Sequence, residues 1–343
     1  MVCLLFVVCF QNTTGHFWSE SIELTINHVT SNSGGFKSAL IIDNVGPIDG
    51  RYLLTLRDEN GFRIGNSIPL EVPANSISRF EDVLLGAQWA TILPRLSPES
   101  NGEEGERPKS NMFIAYSHQS GFGSEALTKA NTAQALATKF RFFPGNWDVH
   151  FDGIAIVAHD YIPSTIVVKQ INTVTKEILH EETIAENLMG QPFKAKKLVL
   201  LGGPDGSLFA PPDGTYFEIL SNGLIGLTVL RGNVPGYPDA NLWETSVSVV
   251  EVPDPEVDFF EGAVTNDGLI QITFKGKHFV SWDVAFSTNL NESTGVSAYV
   301  PEIVDGVVSV KLVGFETDAN FKLRIDGANG ISVYSNEITV PFP

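Results

Sequence analysis

Seven histidines are the first residues to test for chemistry: His16, His28, His118, His150, His159, His180 and His278. A zinc hydrolase would set two of them four residues apart on a helix, around a glutamate. His180-Glu181 starts that pattern, but Ile184 stands where the second histidine is needed. His150-x-Asp152 and His159-Asp160 each join an imidazole to a carboxylate, types that ligate metals or pass a proton. Both pairs flank the apolar run Gly153–Val157, so they read as solvated strand ends. A hydrolase or lyase centred on His159 is the enzymatic alternative. The chain has no Gly-x-Ser-x-Gly elbow to present a nucleophilic serine. Leu201-Gly-Gly-Pro-Asp-Gly206 lacks the Gly-Lys-Ser/Thr ending of a phosphate loop. It runs into Ala210-Pro-Pro-Asp-Gly214, which cannot start a helix, so no helix N-terminus would face an anion. The reading is therefore of a non-enzymatic protein.

Binding chemistry has two candidates. Asp205, Asp213, Asp239, Asp254, Asp267 and Asp305 lie in glycine- or proline-rich turns, and hard carboxylate oxygens at such turns suit Ca²⁺. No Asp-x-Asp-x-Asp-Gly loop gathers them, so a solvated acidic surface is the competing reading. Flat indoles could stack on sugar rings. Trp89 and Trp282 fall in strand-like runs, whereas Trp147 and Trp243 fall in linker-like contexts and are the candidate ligand-binding residues. Packing between domains is the alternative for both.

The elements that must carry these groups are strands. Short runs such as Tyr52–Leu56, Gly153–Val157, Thr165–Val168 and Ser246–Val250 are rich in β-branched and apolar residues. Ile22, Leu24 and Ile26 alternate with polar neighbours, which points one face inward. Asn-Gly or Asp-Gly pairs recur at 49–50, 60–61, 205–206, 213–214, 222–223, 267–268, 305–306 and 329–330. These pairs tolerate the positive φ of tight hairpins. The pattern predicts an all-β chain of tandem antiparallel sandwiches. Ser124–Phe140 is the dissenting stretch, an alanine-rich segment that Ser124 could cap as a helix. Its threonines and Asn131 favour an extended connection instead.

The N-terminus carries both cysteines, Cys3 and Cys9, inside the apolar run Val2–Phe10. Nine residues span about 14 Å as helix, roughly half a bilayer core. The run reads as a truncated secretory signal, although no basic residue precedes it and no small-x-small cleavage site follows. A buried N-terminal strand is the competing reading.

The chain also repeats itself. Gly35–Asn44 matches His150–Asp160, and each is followed by a proline turn, at Pro47 and at Pro163. Gly86–Ile92 matches Gly214–Leu220, and Ile114–Tyr116 matches Ile225–Leu230. The first copy carries a polar insertion at 97–111. In this order, Gly153-Ile-Ala-Ile-Val157, Tyr52-Leu-Leu-Thr-Leu-Arg-Asp-Glu-Asn-Gly61 and Gly214-Thr-Tyr-Phe-Glu-Ile-Leu220 resemble the tandem β-sandwich repeats of large bacterial exported proteins, over about residues 17–250. Leu269–Phe279, Trp282–Phe286 and the Ala328–Val340 ending resemble an immunoglobulin-like domain of the IPT/TIG type, or a fibronectin-III-like one. The expected domains are a signal-like segment 1–16, repeats at 17–146 and 147–252, and a terminal domain at 255–343.

The 343 residues hold 22 Lys+Arg against 40 Asp+Glu, a net charge of −18. That charge repels phosphate and argues against a nucleic-acid partner. The signal-like segment and the resemblance together imply export to the cell surface or beyond, and the shortness of the Val2–Phe10 run implies no membrane span in the mature chain. There the protein would act as a spacer or adhesion module, or as a carbohydrate-binding accessory module. Its partners would be an extracellular glycan or a surface protein.

Overall fold

The computed structural model describes residues 6–7, 14–19, 24–30, 35–95, 108–118, 125–130, 135–191, 193–204, 206–233, 242–288, 297–299, 301–315 and 317–341. The described residues form antiparallel strands and no α-helix, arranged as three β-sandwiches. The segment expected as helix or extended chain contributes two strands. The described chain contains no helix long and apolar enough to cross a membrane.

In the first sandwich one sheet runs β3 (Leu24–Ile26), β8 (Trp89–Arg95), β5 (Gly50–Arg57), β6 (Ile68–Val72). The facing sheet runs β10 (Ala126–Lys129), β9 (Ser110–His118), β4 (Phe36–Asn44), β7 (Ser76–Phe80). Alternate residues of both sheets meet in one core, among them Leu40, Ile42, Leu54, Ile92 and Ile114, as the period of two requires.

The second sandwich is built around one long strand, β17 (Thr215–Asn233). Its first half lies between β13 (Ser164–Asn172) and β11 (Ala137–Phe142). β14 (Ile178–Leu188) extends this layer beyond β13, and β19 (Ser248–Glu251) extends it beyond β11. The second half of β17 lies between β12 (His150–Ala158) and β18 (Leu242–Glu244). There β15 (Lys196–Gly203) and β16 (Gly206–Ser207) continue beyond β12. The core between the layers includes Ile154, Ile156, Val168, Phe217 and Val229.

The two sandwiches share a pairing plan. Leu40 opposes Ile114 and Leu54 opposes Ile92; Ile154 opposes Val229 and Val168 opposes Ile219. What β17 does continuously in the second sandwich, β8 and β9 do as separate strands in the first. Most of the polar insertion between β8 and β9 lies outside the described residues. β11 belongs to the second sandwich, so the expected border at 146 falls after that sandwich has begun.

The third sandwich pairs a sheet of β20 (Glu256–Val264), β21 (Ile270–Lys277), β25 (Val307–Val313), β23 (Ser297–Ala298) and β24 (Glu302–Val304) with a second sheet. That second sheet holds β22 (Phe279–Thr288), β26 (Ala319–Gly327), β27 (Ser332–Tyr334) and β28 (Ile338–Val340). The N-terminus joins it. β1 (Phe6–Val7) pairs with β23, and β2 (Thr14–Ser19) pairs with β22 over six registers, from Thr14–Ser287 to Ser19–Trp282. The expected boundary between 16 and 17 therefore falls inside a strand of the third sandwich. The rest of the apolar run, including Cys3 and Cys9, lies outside the described residues.

Candidate functional site

The carboxylates flanking the Gly153–Val157 run are not solvated strand ends. Asp152 and Asp160 are both fully buried, and His159 is only 7% exposed. A buried carboxylate needs partners for its lone pairs, because leaving it bare costs several kcal/mol. Asp152 takes Nε of Arg231 at 2.7 Å on Oδ1, and the Trp147 indole N–H at 2.8 Å and the Gly145 amide on Oδ2. Arg231 lies on β17 directly opposite Asp152 in the ladder, so this pair ties two strands to the turn before them.

Asp160 links two sandwiches. Its carboxylate accepts the amides of Tyr161 at 2.8 Å and Leu224 at 3.0 Å, within the second sandwich. It also accepts the amide of His278, from the third sandwich, at 2.9 Å on Oδ2. His278 holds φ at 60°, a left-handed backbone that aims this amide at the carboxylate. Its ring lies 3.1 Å from the Asn222 carbonyl through Nε2. Beside them Tyr161 stacks on Phe279 with centroids 4.3 Å apart and enters the third core. Gly223 closes the site: a Cβ there would meet Cβ of Asp160 at 3.0 Å. Burial pushes the Asp160 carboxyl up, while the three amides pull it down.

A second polar seam joins the first two sandwiches. Lys196, on β15, is 6% exposed. Its Nζ lies 3.0 Å from Nδ1 of His28 and donates to the Gln88 carbonyl at 2.6 Å, both in the first sandwich. Its own amide donates to the Glu59 carbonyl. Burial lowers the Lys196 pKa to about 7, with Glu59 acting in the opposite direction. Burial and the Lys196 charge together hold His28 well below the imidazole range. His28 is therefore neutral and accepts from Nζ of Lys196 at Nδ1. Alongside, Asn27 donates to Thr228 at 3.3 Å. Asn27 and His159 both press on Gly226, where a Cβ would meet Oδ1 of Asn27 at 2.8 Å and Nε2 of His159 at 3.3 Å. His159 is also held neutral, chiefly by burial and then by Lys194 and Arg57. Leu230 and Leu242 of the second sandwich complete the first core.

The other residues singled out from the sequence are dispersed. Trp147 is 6% exposed, stacked with Phe217 at 6.0 Å, and so close to Gly202 that a Cβ there would strike its ring. This buried ring offers no face to a sugar. The Gly202–Gly203 pair makes room for Trp147 and for Phe151, which is the physical use of the phosphate-loop-like glycines. The backbone of Trp243 pairs with Arg231; its side chain lies outside the described residues, as do Asp205 and Asp239. Asp254 accepts from Asn329 at 2.7 Å, and Asp305 sits in its own turn at φ 51°. Among the described residues no group of three or more His, Cys, Asp or Glu is placed to hold a metal ion. No local signal marks Lys196, since the run Lys-Ala-Lys-Lys-Leu looks like a solvated strand start.

Comparison with models of known protein families gives no match, and no curated protein matches the chain.

Proposed function

We propose that the chain is a non-enzymatic, exported structural or adhesive protein, in which each β-sandwich is bolted to the next to make a stiff spacer. One observation carries this reading. Asp160, fully buried, commits its carboxylate to backbone amides and takes one of them from the neighbouring sandwich. A catalytic carboxylate needs a free lone pair facing substrate, whereas a structural one is used up by its surroundings. The His28–Lys196 contact fastens the other junction in the same way. Location outside the cell is supported by the resemblance to exported tandem repeats. The terminal domain is read as immunoglobulin-like on its sequence pattern.

The test is rotational diffusion of the full chain by ¹⁵N relaxation, combined with a screen of polysaccharide substrates. A spacer shows one correlation time shared by all three sandwiches and no turnover. Independent tumbling of any sandwich, or turnover lost in His159→Ala, overturns the reading.

A further inference from the structure

The outer face of one layer of the second sandwich carries a ladder of alternating charge, one residue per strand. Arg141 on β11 opposes Glu218 on β17, Glu218 opposes Lys169 on β13, and Lys169 opposes Glu181 on β14. The ion pairs are made: Arg141 and Lys139 with Glu218, and Lys169 with Glu181 at 3.0 Å. Burial alone would raise the Glu218 carboxyl, but Arg141 and Lys139 hold it below its usual range. Cross-strand opposite charges are favourable and like charges are not, so a cation is favoured opposite Glu181; at the other end of the row Arg141 faces the uncharged Ser248 of β19.

At Glu181 the ladder ends on an open edge. β14 is the last strand of its layer, eleven residues long, and among the described residues it pairs with β13 alone. Its far backbone edge is an unfilled template, regular over His180–Thr183 and interrupted by register shifts on either side. Glu181, Glu182 and Glu186 line it, with the apolar side chains of Ile178 and Leu179 about half exposed. Carboxylates at this density repel a second copy of the same strand, which protects against self-pairing. They do not repel a basic strand.

We propose that β14 is a docking edge for an extended, basic segment of a partner protein, added as the next strand with a Lys or Arg opposite Glu181. Main-chain hydrogen bonds supply the adhesion and the alternating ladder supplies the selectivity. This names a protein partner for the adhesive side of the function proposed above. Its failure would leave the rotational-diffusion result untouched, so the two are separable.

The probe is a fluorescein-labelled nine-residue peptide alternating Lys with Val or Thr, titrated against the full chain by anisotropy. Three comparisons decide the outcome. Methylating alternate backbone nitrogens of the peptide keeps its charge and removes its ladder bonds; binding should weaken at least tenfold. Glu181→Lys should weaken it by a similar factor, and Glu181→Gln, checked for folding by circular dichroism, by less. The acidic peptide with Glu for Lys should not bind. Absence of binding by the first peptide overturns the proposal. So does equal binding by the methylated one, which would mean charge alone, and so does indifference to both Glu181 variants.

Discussion

Asn44 and Asp160 play corresponding parts in two successive sandwiches, Asn44 as the last residue of β4 and Asp160 two residues beyond β12, each buried and three residues before a proline. Asn44 stays at home: its amide donates to the carbonyls of Ile48, Val72 and Pro73, all in the first sandwich. Asp160 has no N–H to donate and gathers amides instead, one of them from His278 across the seam. A single change of side-chain type turns an internal brace into a bolt between sandwiches.

Replacing Asp160 by Asn tests that difference. The new amide group would face donors with a donor, leaving at least one buried amide unsatisfied. The expected cost is about 1–3 kcal/mol, concentrated at the junction. Calorimetry should show the third sandwich melting separately from the second. A single transition at the unaltered temperature would contradict the bolt.

Lys196 sets a pH dependence. Its folded pKa is about 7 against 10.5 for an ordinary lysine, so between these values the unfolded chain binds a proton that the folded chain does not. Stability therefore rises as pH climbs from about 7 towards 10.5. The full span is worth on the order of several kcal/mol. Glu244, pushed up to about 7 by burial, acts over a lower window, where stability falls as pH rises from 4.5 to 7. Lys196→Met should flatten the alkaline rise measured by urea denaturation at pH 7, 8 and 9. An unchanged slope in the variant would assign the effect elsewhere.

Gly226→Ala probes the same seam sterically. The added methyl would press into Asn27 and His159, an overpacking that costs roughly 1–3 kcal/mol. Amide hydrogen exchange should quicken in β3 and the adjoining half of β17, while the third sandwich keeps its protection. Uniform acceleration across all three sandwiches would show that the seam is not the place affected.

Trp147→Ala removes a core residue. Equilibrium denaturation should show a loss of about 3–5 kcal/mol, deepened because Asp152 loses the indole partner. On a glycan array the variant, measured below its melting temperature, should score the same as the parent. Glycan binding that vanishes with Trp147 would restore the sugar-stacking reading.

The sequence made the all-β class readable, because alternation in runs such as Tyr52–Leu56 and the Asp-Gly and Asn-Gly turns are local signals. Asp305 and Gly306, with φ of 51° and 78°, are one such turn realised. The seams were not readable. Arg231 reaches Asp152 from 79 positions away, and His278 reaches Asp160 from 118. Nothing near an aspartate announces which distant strand will fold over it. Lys196 was hidden by parity: it shares a strand face with Leu198 and Leu200, both about half exposed, and only the first of the three is covered by the neighbouring sandwich. The pairing of β2 with β22 was hidden in the same way, since its partner lies at the other end of the chain.

The undivided course of β17 has a consequence for how the chain can be altered. In the first sandwich the two layers receive separate strands, so a peptide grafted between Arg95 and Ser110 leaves both registers intact. In the second, a residue added at Ser221–Leu224 would enlarge a register irregularity already present opposite Ala137–Lys139 and carry Gly223 and Leu224 away from the Asp160 carboxylate they pack against. Tags, epitopes or evolutionary novelties should therefore be accepted on the first sandwich and refused by the second, although both follow one blueprint.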